Sequence, residues 1–292
     1  MFDRKKTTFV VLVLVILTFS FLFVGGSSKN SFLRCAQSEA SGPEPADTTF
    51  LQVGEELTYA VSYSFFSIGT LSFKILDKGI RNGRPIFKAK AIIESNPSLS
   101  WLTEVHIRFY GEIDDSMFSH YWVSEDSSSS RIDYHTLTFN YSDSNLVYER
   151  GFIYPDGKHD TATIDTITVT RPGQDGLSLF FYAREHARQK KQEVVPVFID
   201  NKEKNAYINF QDKIEEEEID AVDYPIETVF LDGHADFVGV VGMTGGFRGW
   251  FSNDAARIPI LARLNVWLGS IKVQLQSWKR PDWQPPRYIE PR

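Results

Sequence analysis

The chain has 292 residues, of which 24% are charged and 14% aromatic, and its formal net charge at pH 7 is −7. Residues 1–38 hold five basic residues and one acidic residue, so the remainder carries a formal charge of −11. Because nucleic acids and anionic membrane surfaces are bound through basic faces, this balance predicts neither of them as a partner of the body of the protein. Membrane contact is predicted only through the N-terminal segment.

The N-terminus has the pattern of an export signal. Residues 4–6 are basic, and the apolar run 9–24 that follows is interrupted only by Thr18 and Ser20. Such a run suits a secretory signal, and it is also close to the length of a membrane-spanning helix. We therefore predict that residues 1–26 form a signal peptide or a retained signal anchor. Either leaves the rest of the chain in the periplasm or on the outer side of the inner membrane.

Residues 25–49 are rich in Gly, Ser, Pro and acidic side chains, and residues 27–49 are predicted to be a flexible linker. The only cysteine, Cys35, follows Arg34, whereas a lipidated cysteine follows a small residue. An unmodified cysteine is the favoured interpretation, with lipidation left open. An exported domain without a disulfide depends on its hydrophobic core for stability.

Residues 50–278 are predicted to be one β-rich domain, because apolar and polar residues alternate with a period of two along most of it. Asn82-Gly83 is a signal for a tight hairpin turn. The pattern predicts two separate strands at 204–211 and 213–219. It also predicts a meander of strands at the C-terminal end, followed by a tail at 279–292.

One segment has helical spacing instead. Asp175 can cap a helix in which Leu177, Phe180, Phe181 and Ala187 share a face, and we place this helix at about 175–190. A shorter turn is predicted at 97–102. The resulting fold class is mainly β: a single antiparallel, strongly curved or barrel-like sheet with one packed α-helix, preceded by the apolar N-terminal helix.

The sequence contains no recognised catalytic motif. A phosphate-binding loop, a dinucleotide-binding glycine fingerprint, a Cys-x-x-Cys pair, a His-Glu-x-x-His motif and a serine nucleophile elbow are all absent. We therefore predict no catalytic residue, no metal site and no cofactor, and a non-enzymatic role is favoured.

Three residues form a candidate polar cluster with a ligand-binding or structural role. Arg184 lies on the apolar stripe of the predicted helix, and a buried guanidinium needs an acidic partner or several carbonyl oxygens. Asp254 and Arg257 are three residues apart around a predicted turn and can pair or bind its amides. A structural role for this turn is favoured over a ligand site. Asp254 is the predicted partner of Arg184.

The chain also resembles a known bacterial envelope family in three segments. These are Val53-Gly54-Glu55-Glu56-Leu57-Thr58-Tyr59 with Ile68-Gly69-Thr70, Asp175-Gly176-Leu177-Ser178 through Tyr182-Ala183-Arg184, and Ser252-Asn253-Asp254 with Arg257-Ile258-Pro259 and Gly269-Ser270. The family is the domain of unknown function thirty-one-oh-eight (DUF3108). Phe251 stands where that family usually has Trp or Tyr. The resemblance implies an exported, mostly β protein, and it supplies no reaction and no catalytic residues.

Three functions remain open at this stage. The first is a non-enzymatic envelope protein that binds an apolar or glycan-like ligand, or an envelope protein, in the concave face of its sheet. The second is a hydrolase of envelope polysaccharide or lipid that uses carboxylates such as Asp254 or Asp165. The third is a scaffold in an envelope assembly, which an exposed, unpaired strand edge would favour.

Overall fold

The computed structural model describes residues 50–101, 104–238, 243–267 and 269–290. The predicted signal or anchor (1–26) and the predicted linker (27–49) lie outside these ranges. The fourteen strands are β1 (Glu56–Tyr63), β2 (Phe66–Arg81), β3 (Arg84–Ser95), β4 (His106–Asp114), β5 (Ser119–Asp126), β6 (Ile132–Asn140), β7 (Asn145–Ile153), β8 (His159–Thr168), β9 (Lys191–Ile199), β10 (Lys202–Glu217), β11 (Ile226–Val238), β12 (Met243–Ser252), β13 (Pro259–Val266) and β14 (Ser270–Lys279). The helix α1 spans Ser178–His186, and short 3-10 turns lie at Pro97–Leu99 and Tyr141–Asp143.

All fourteen strands belong to one antiparallel sheet, in the order β8-β7-β6-β5-β4-β3-β2-β1-β14-β13-β12-β11-β10-β9. Each strand pairs with its neighbour in the chain, except that β8 and β9 lie at opposite ends of the order and β1 pairs with β14. The predicted single antiparallel sheet is therefore confirmed. It is an open sheet, not a closed barrel, because no backbone ladder joins β8 to β9.

The turn chemistry explains much of the local structure. Asn82 and Gly83 both have positive φ angles, 50° and 77°, which the tight turn between β2 and β3 requires. The prediction of two strands at 204–211 and 213–219 was wrong, because β10 is one continuous strand. Its pairing with β11 shifts between Phe210 and Lys213, so a bulge interrupts the alternation that the sequence shows there.

Helix α1 is shorter than the predicted 175–190. Asp175 Oδ1 accepts the N–H groups of Leu177 (2.5 Å) and Ser178 (2.9 Å), which confirms the predicted cap. Burial raises the pKa of the Asp175 carboxyl group, because loss of hydration disfavours its charged form. Ser119 and the two N–H groups lower the pKa, but by less.

The helix packs against both halves of the sheet. Phe180 stacks on Phe73 of β2, with ring centroids 3.9 Å apart, while His186 lies 5.9 Å from Phe210 of β10. Gly111 of β4 permits close approach, since a Cβ atom there would be 3.1 Å from Leu177 Cδ2. The main core therefore joins α1 to strands from both halves.

The two ends of the sheet approach each other through side chains. Phe198 of β9 packs edge-on against Phe139 of β6, with centroids 5.4 Å apart, in a second hydrophobic cluster. At the β9–β10 turn, Asn201 Nδ2 donates to Asp165 Oδ2 of β8 at 2.8 Å. Side chains thus connect the two ends of the open sheet, although no ladder closes it.

The segment predicted as a tail at 279–292 is packed on the sheet as far as the structure describes it. Trp283 is buried, and Glu227 of β11 donates its backbone N–H to the carbonyl of Pro286 at 2.8 Å. Within the described ranges, no helix has the length and apolar character needed to cross a membrane.

Candidate functional site

Arg184 is completely buried and has an acidic partner, but the partner is Glu55, not Asp254. Its Nη1 donates to Glu55 Oε1 (2.6 Å) and its Nη2 to Glu55 Oε2 (3.0 Å), a bidentate pair. The same guanidinium donates to the carbonyl oxygens of Phe50 and Ala256, each at 3.0 Å. The prediction that Asp254 is the partner of Arg184 was wrong. Asp254 stabilises the turn that contains Ala256, and Arg184 contacts this turn through the backbone carbonyl of Ala256.

Glu55 is brought to the helix by a turn at the start of the domain. Gly54 has φ +85°, a conformation that glycine adopts without steric cost. The backbone on either side is fixed to β2, because Gly54 donates to the carbonyl of Ile75 (2.9 Å) and Ile75 donates to the carbonyl of Glu55 (3.0 Å). The Glu55 carboxylate is thereby directed inward and remains 2% exposed.

Asp254 and Arg257 lie in the turn between β12 and β13. Asp254 Oδ1 accepts hydrogen bonds from the Ser252 hydroxyl (2.8 Å) and from the N–H groups of Ala256 (2.9 Å) and Arg257 (3.0 Å). Arg257 has φ +46°, an unusual conformation for a residue other than glycine. The hydrogen bond from its backbone N–H to the Asp254 carboxylate holds it in this conformation. The predicted role of Asp254 in binding turn amides is what the geometry shows.

The C-terminal segment completes the cluster. Arg280 donates both to Glu55 Oε2 and to the carbonyl of Phe50, and its side chain is 6% exposed. Trp283 Nε1 donates to Asp254 Oδ2 at 2.8 Å. The Phe50 ring lies beneath two guanidinium groups, with the Cζ atoms of Arg257 and Arg184 at 4.7 Å and 5.4 Å from its centroid.

We call Phe50, Glu55, Arg184, Asp254, Arg257, Arg280 and Trp283 the arginine cluster. It joins four distant chain segments: the start of the domain, α1, the β12–β13 turn and the C-terminal segment. Every carboxylate oxygen in it accepts at least one hydrogen bond from the protein. The carboxylates of Glu55 and Asp254 are therefore held in place by charge-assisted hydrogen bonds within the protein.

The other carboxylate suggested for hydrolysis, Asp165, lies on β8 and accepts a hydrogen bond from Asn201. Neither Asp165 nor Asp254 lines either of the two described surface depressions. The larger depression, of about 910 Å³, adjoins the arginine cluster, and it is wide open to solvent. It is lined by Val53, Gly54, Trp278, Lys279, Arg280, Pro281, Asp282, Trp283 and Gln284.

Side chains occupy the sheet's interior wherever α1 packs. The buried core there includes Phe181 of α1 and Leu177, which directly precedes the helix, together with residues of ten strands. Where α1 packs, therefore, the structure shows a filled interior and not the apolar mouth that ligand binding in the concave face requires.

The two terminal strands of the sheet differ in how their outer edges are covered. On β9, Gln174 donates to the carbonyl of Pro196 (2.9 Å) and accepts from the N–H of Phe198 (2.8 Å), so an isolated bridge covers that edge at residues 196–198. On β8, within the described ranges, the backbone ladder is to β7 alone. The backbone groups of this ten-residue strand that point away from β7 therefore have no ladder partner there, although Asn201 contacts the side chain of Asp165.

Sequence reasoning did not find Phe50, Glu55, Arg280 or Trp283 as members of the arginine cluster. Glu55 and Arg280 are separated by more than two hundred residues, so only the pairing of β1 with β14 brings them together. A signal was present in the Gly54-Glu55 dipeptide, since a turn glycine beside an acid can direct that acid inward.

Comparison with known proteins agrees with the family resemblance. A family model described as "Protein of unknown function (DUF3108)" matches residues 58–276, which confirms the resemblance that the three segments predict. No curated protein gives a significant match. Among solved structures, the chain is similar to the "Crystal Structure of Beta-barrel-like Protein of Domain of Unknown Function DUF1849 from Brucella abortus". That alignment has a TM-score of 0.50 and 8% identity, and it covers 79% of this chain and 98% of the other, so the likeness is one of fold alone.

Proposed function

We propose that this chain, which belongs to the DUF3108 family of proteins of unknown function, is a non-enzymatic binding protein of the bacterial cell envelope. It captures an extended segment of another envelope protein by adding it to the sheet beside β8. The observation that carries this proposal is the outer edge of β8, which has no backbone ladder within the described ranges, whereas a bridge at Gln174 covers part of the β9 edge.

The composition of β8 supports strand addition. Sheets usually protect their edge strands with Lys, Pro, bulges or short length. β8 spans His159–Thr168, contains neither Lys nor Pro, and is rich in the β-branched residues Thr and Ile. Its protection against strand addition consists of the acidic residues Asp160 and Asp165 and a shift in pairing between Arg150 and Gly151 of β7. An added strand would satisfy the free backbone groups, and the exposed Ile164 would supply an apolar contact.

The proposed location is the periplasm or the outer side of the inner membrane, supported by the sequence pattern of residues 1–26. Protease added to spheroplasts of a bacterium that makes the full chain should therefore digest the β-rich domain. Deletion of residues 1–26 should leave the domain protected until the cells are lysed. Protection of the complete chain in intact spheroplasts would contradict export.

Strand capture is tested by placing a photo-reactive amino acid at Thr163 of the full chain and irradiating cells. We expect a covalent product with an envelope protein, and a synthetic peptide of the cross-linked region should slow hydrogen exchange of the β8 amides. The variant Ile164→Lys/Thr166→Lys places two charges on this exposed edge strand. It should weaken peptide binding on the order of tenfold or more, as lysines do at natural edges.

The control is Ile80→Lys, which introduces one lysine at an isoleucine in the β2–β3 hairpin that is 79% exposed, against 63% for Ile164. It should leave peptide binding unchanged. If the cross-links join only two copies of this chain, the β8 edge mediates self-association, and the proposal that it captures another protein is wrong. Binding that survives the two lysines would show that β8 is not the binding edge.

Non-enzymatic binding is favoured over hydrolysis by the state of the carboxylates. Asp254 is fully engaged by a hydroxyl, two amides and an indole N–H, so no oxygen is available to a substrate without dismantling the turn. Ligand binding in the concave face is disfavoured by the packing of α1 against Phe73 and Phe210.

A further inference from the structure

Four large aromatic side chains project into solvent from three turns of the sheet. Phe65 is 82% exposed, Phe66 54%, Trp101 76% and Trp267 67%. Single exposed apolar residues are ordinary in soluble proteins, whereas a group of them on one side of a molecule marks a contact surface. We call these four residues the aromatic rim.

Strand pairing places the aromatic rim at one end of the sheet. Strands β3, β2, β1, β14 and β13 lie side by side in that order. Tyr63, the last residue of β1, pairs with Phe66 of β2 and with Ile271 of β14, so the β1–β2 and β13–β14 turns are neighbours. At the same end, Asn96 donates its N–H to the carbonyl of Ile68 at 2.9 Å, which brings in the turn that carries Trp101. The three turns span four strand spacings, or about 19 Å.

The turns of the aromatic rim are depleted of charge. Segments 63–67, 96–105 and 266–270 contain one charged residue, Glu104, among twenty residues, in a chain that is 24% charged overall. Ser and Asn occupy many of the remaining positions. This composition suits a surface that enters a poorly hydrated region, where charged side chains are costly and hydroxyl or amide groups can bind polar headgroups.

We propose that the aromatic rim inserts into the interfacial region of a lipid bilayer and sets the orientation of the domain on the membrane. Tryptophan and phenylalanine are the side chains that favour this region. Each of the four side chains is more than half exposed, so they project into solvent. The apolar run 9–24 supports a lipid surface as the occupant, because it directs the chain to a membrane.

This contact goes beyond the sequence-based prediction that only the N-terminal segment contacts a membrane, and it is apolar and not electrostatic. The rim segments have no basic residue and the body of the chain is acidic, so anionic lipids gain no attraction from them. The rim and β8 are different surfaces, so this inference goes beyond the proposed function, and either can fail without the other.

The test measures lipid contact at the aromatic rim itself, so that membrane binding by the N-terminal segment of the full chain does not produce the same signal. In a Cys35→Ser background, a polarity-sensitive fluorophore is attached through Ser100→Cys, beside Trp101, or through Asp223→Cys as the matched control. Both positions are exposed, and Asp223 lies in the β10–β11 turn, at the opposite end of the sheet. With phosphatidylcholine vesicles, we expect the label at position 100 to shift to the blue and to be quenched by a lipid-borne quencher, and the label at position 223 to do neither.

Substitution of the rim should abolish this response. Phe65→Ser/Phe66→Ser/Trp101→Ser/Trp267→Ser should return the label at position 100 to an aqueous spectrum. Should that variant misfold, the pair Trp101→Ser/Trp267→Ser should still reduce the lipid-exposed fraction of label on the order of tenfold. Adding phosphatidylglycerol or salt should change the signal little. An aqueous label at position 100 in the presence of vesicles overturns the proposal. So does a blue shift that needs no vesicles and grows with protein concentration, which identifies a second copy as the occupant.

Discussion

Replacing Arg184 with methionine is expected to lower the free energy of unfolding by about 3–5 kcal/mol, the usual cost of breaking a buried ion pair by removing one partner. Arg184 is fully buried and donates four hydrogen bonds, two of them to Glu55. Methionine retains most of the packing volume, so the loss should come from the polar contacts. Urea unfolding monitored by tryptophan fluorescence would measure it.

A double-mutant cycle identifies the partner. Arg184→Met combined with Glu55→Gln should show a coupling energy of at least about 1 kcal/mol, because the two side chains contact each other directly. Arg184→Met combined with Asp254→Asn should show a clearly smaller coupling, because Asp254 reaches Arg184 only through the backbone of Ala256. Equal couplings for the two acids would contradict the assignment of Glu55 as the ion-pair partner.

Acid should destabilise the domain through His186, at the end of α1. Burial is the main reason that the pKa of His186 falls from 6.5 to about 4; Lys191 lowers it further, and the hydrogen bond to the Tyr182 carbonyl partly opposes this. Since the unfolded chain takes up the proton first, the stabilising contribution of neutral His186 is complete above pH 6.5 and is lost as the pH falls towards 4. The pKa difference corresponds to roughly 3 kcal/mol.

Stability measured from pH 7.5 to 4 in wild type and His186→Gln isolates this contribution. The wild type should lose about 3 kcal/mol more than the variant across this range. His135, whose pKa is raised by Asp133 and Asp200 despite burial, titrates with the opposite sign in both proteins and cancels in the difference. The exposed His159→Gln should behave as wild type. If stability depends on pH in the same way for wild type and His186→Gln, His186 is protonated equally in the folded and the unfolded protein, and the prediction is wrong.

Much of the local architecture could be read from the sequence, because it follows from short-range physics. Alternation of apolar and polar residues predicts strands wherever one face is buried, and Asn82-Gly83 predicts a tight turn because both residues tolerate positive φ. The same logic failed at Gln211 and Asp212, where a bulge absorbs two residues without ending the strand.

The candidate site was predicted less completely. That Arg184 needs a partner follows from its position on an apolar helical stripe, and that Asp254 binds amides follows from its place before a turn. The identity of the partner, Glu55, does not follow, because residues more than a hundred positions apart meet only through the folded sheet.

The sequence by itself determined the class of fold, the capped helix and the family. Each of these depends on neighbouring residues or on the order of a few short segments along the chain. Only the tertiary structure decided that the sheet stays open and that four aromatic side chains lie at one end of it. The tertiary structure also decided that Gln174 bridges part of the β9 edge, whereas β8 has a backbone ladder to β7 alone within the described ranges. Those features depend on which strands become neighbours, and that is set by the packing of α1 and the closure of β1 on β14, not by any local pattern.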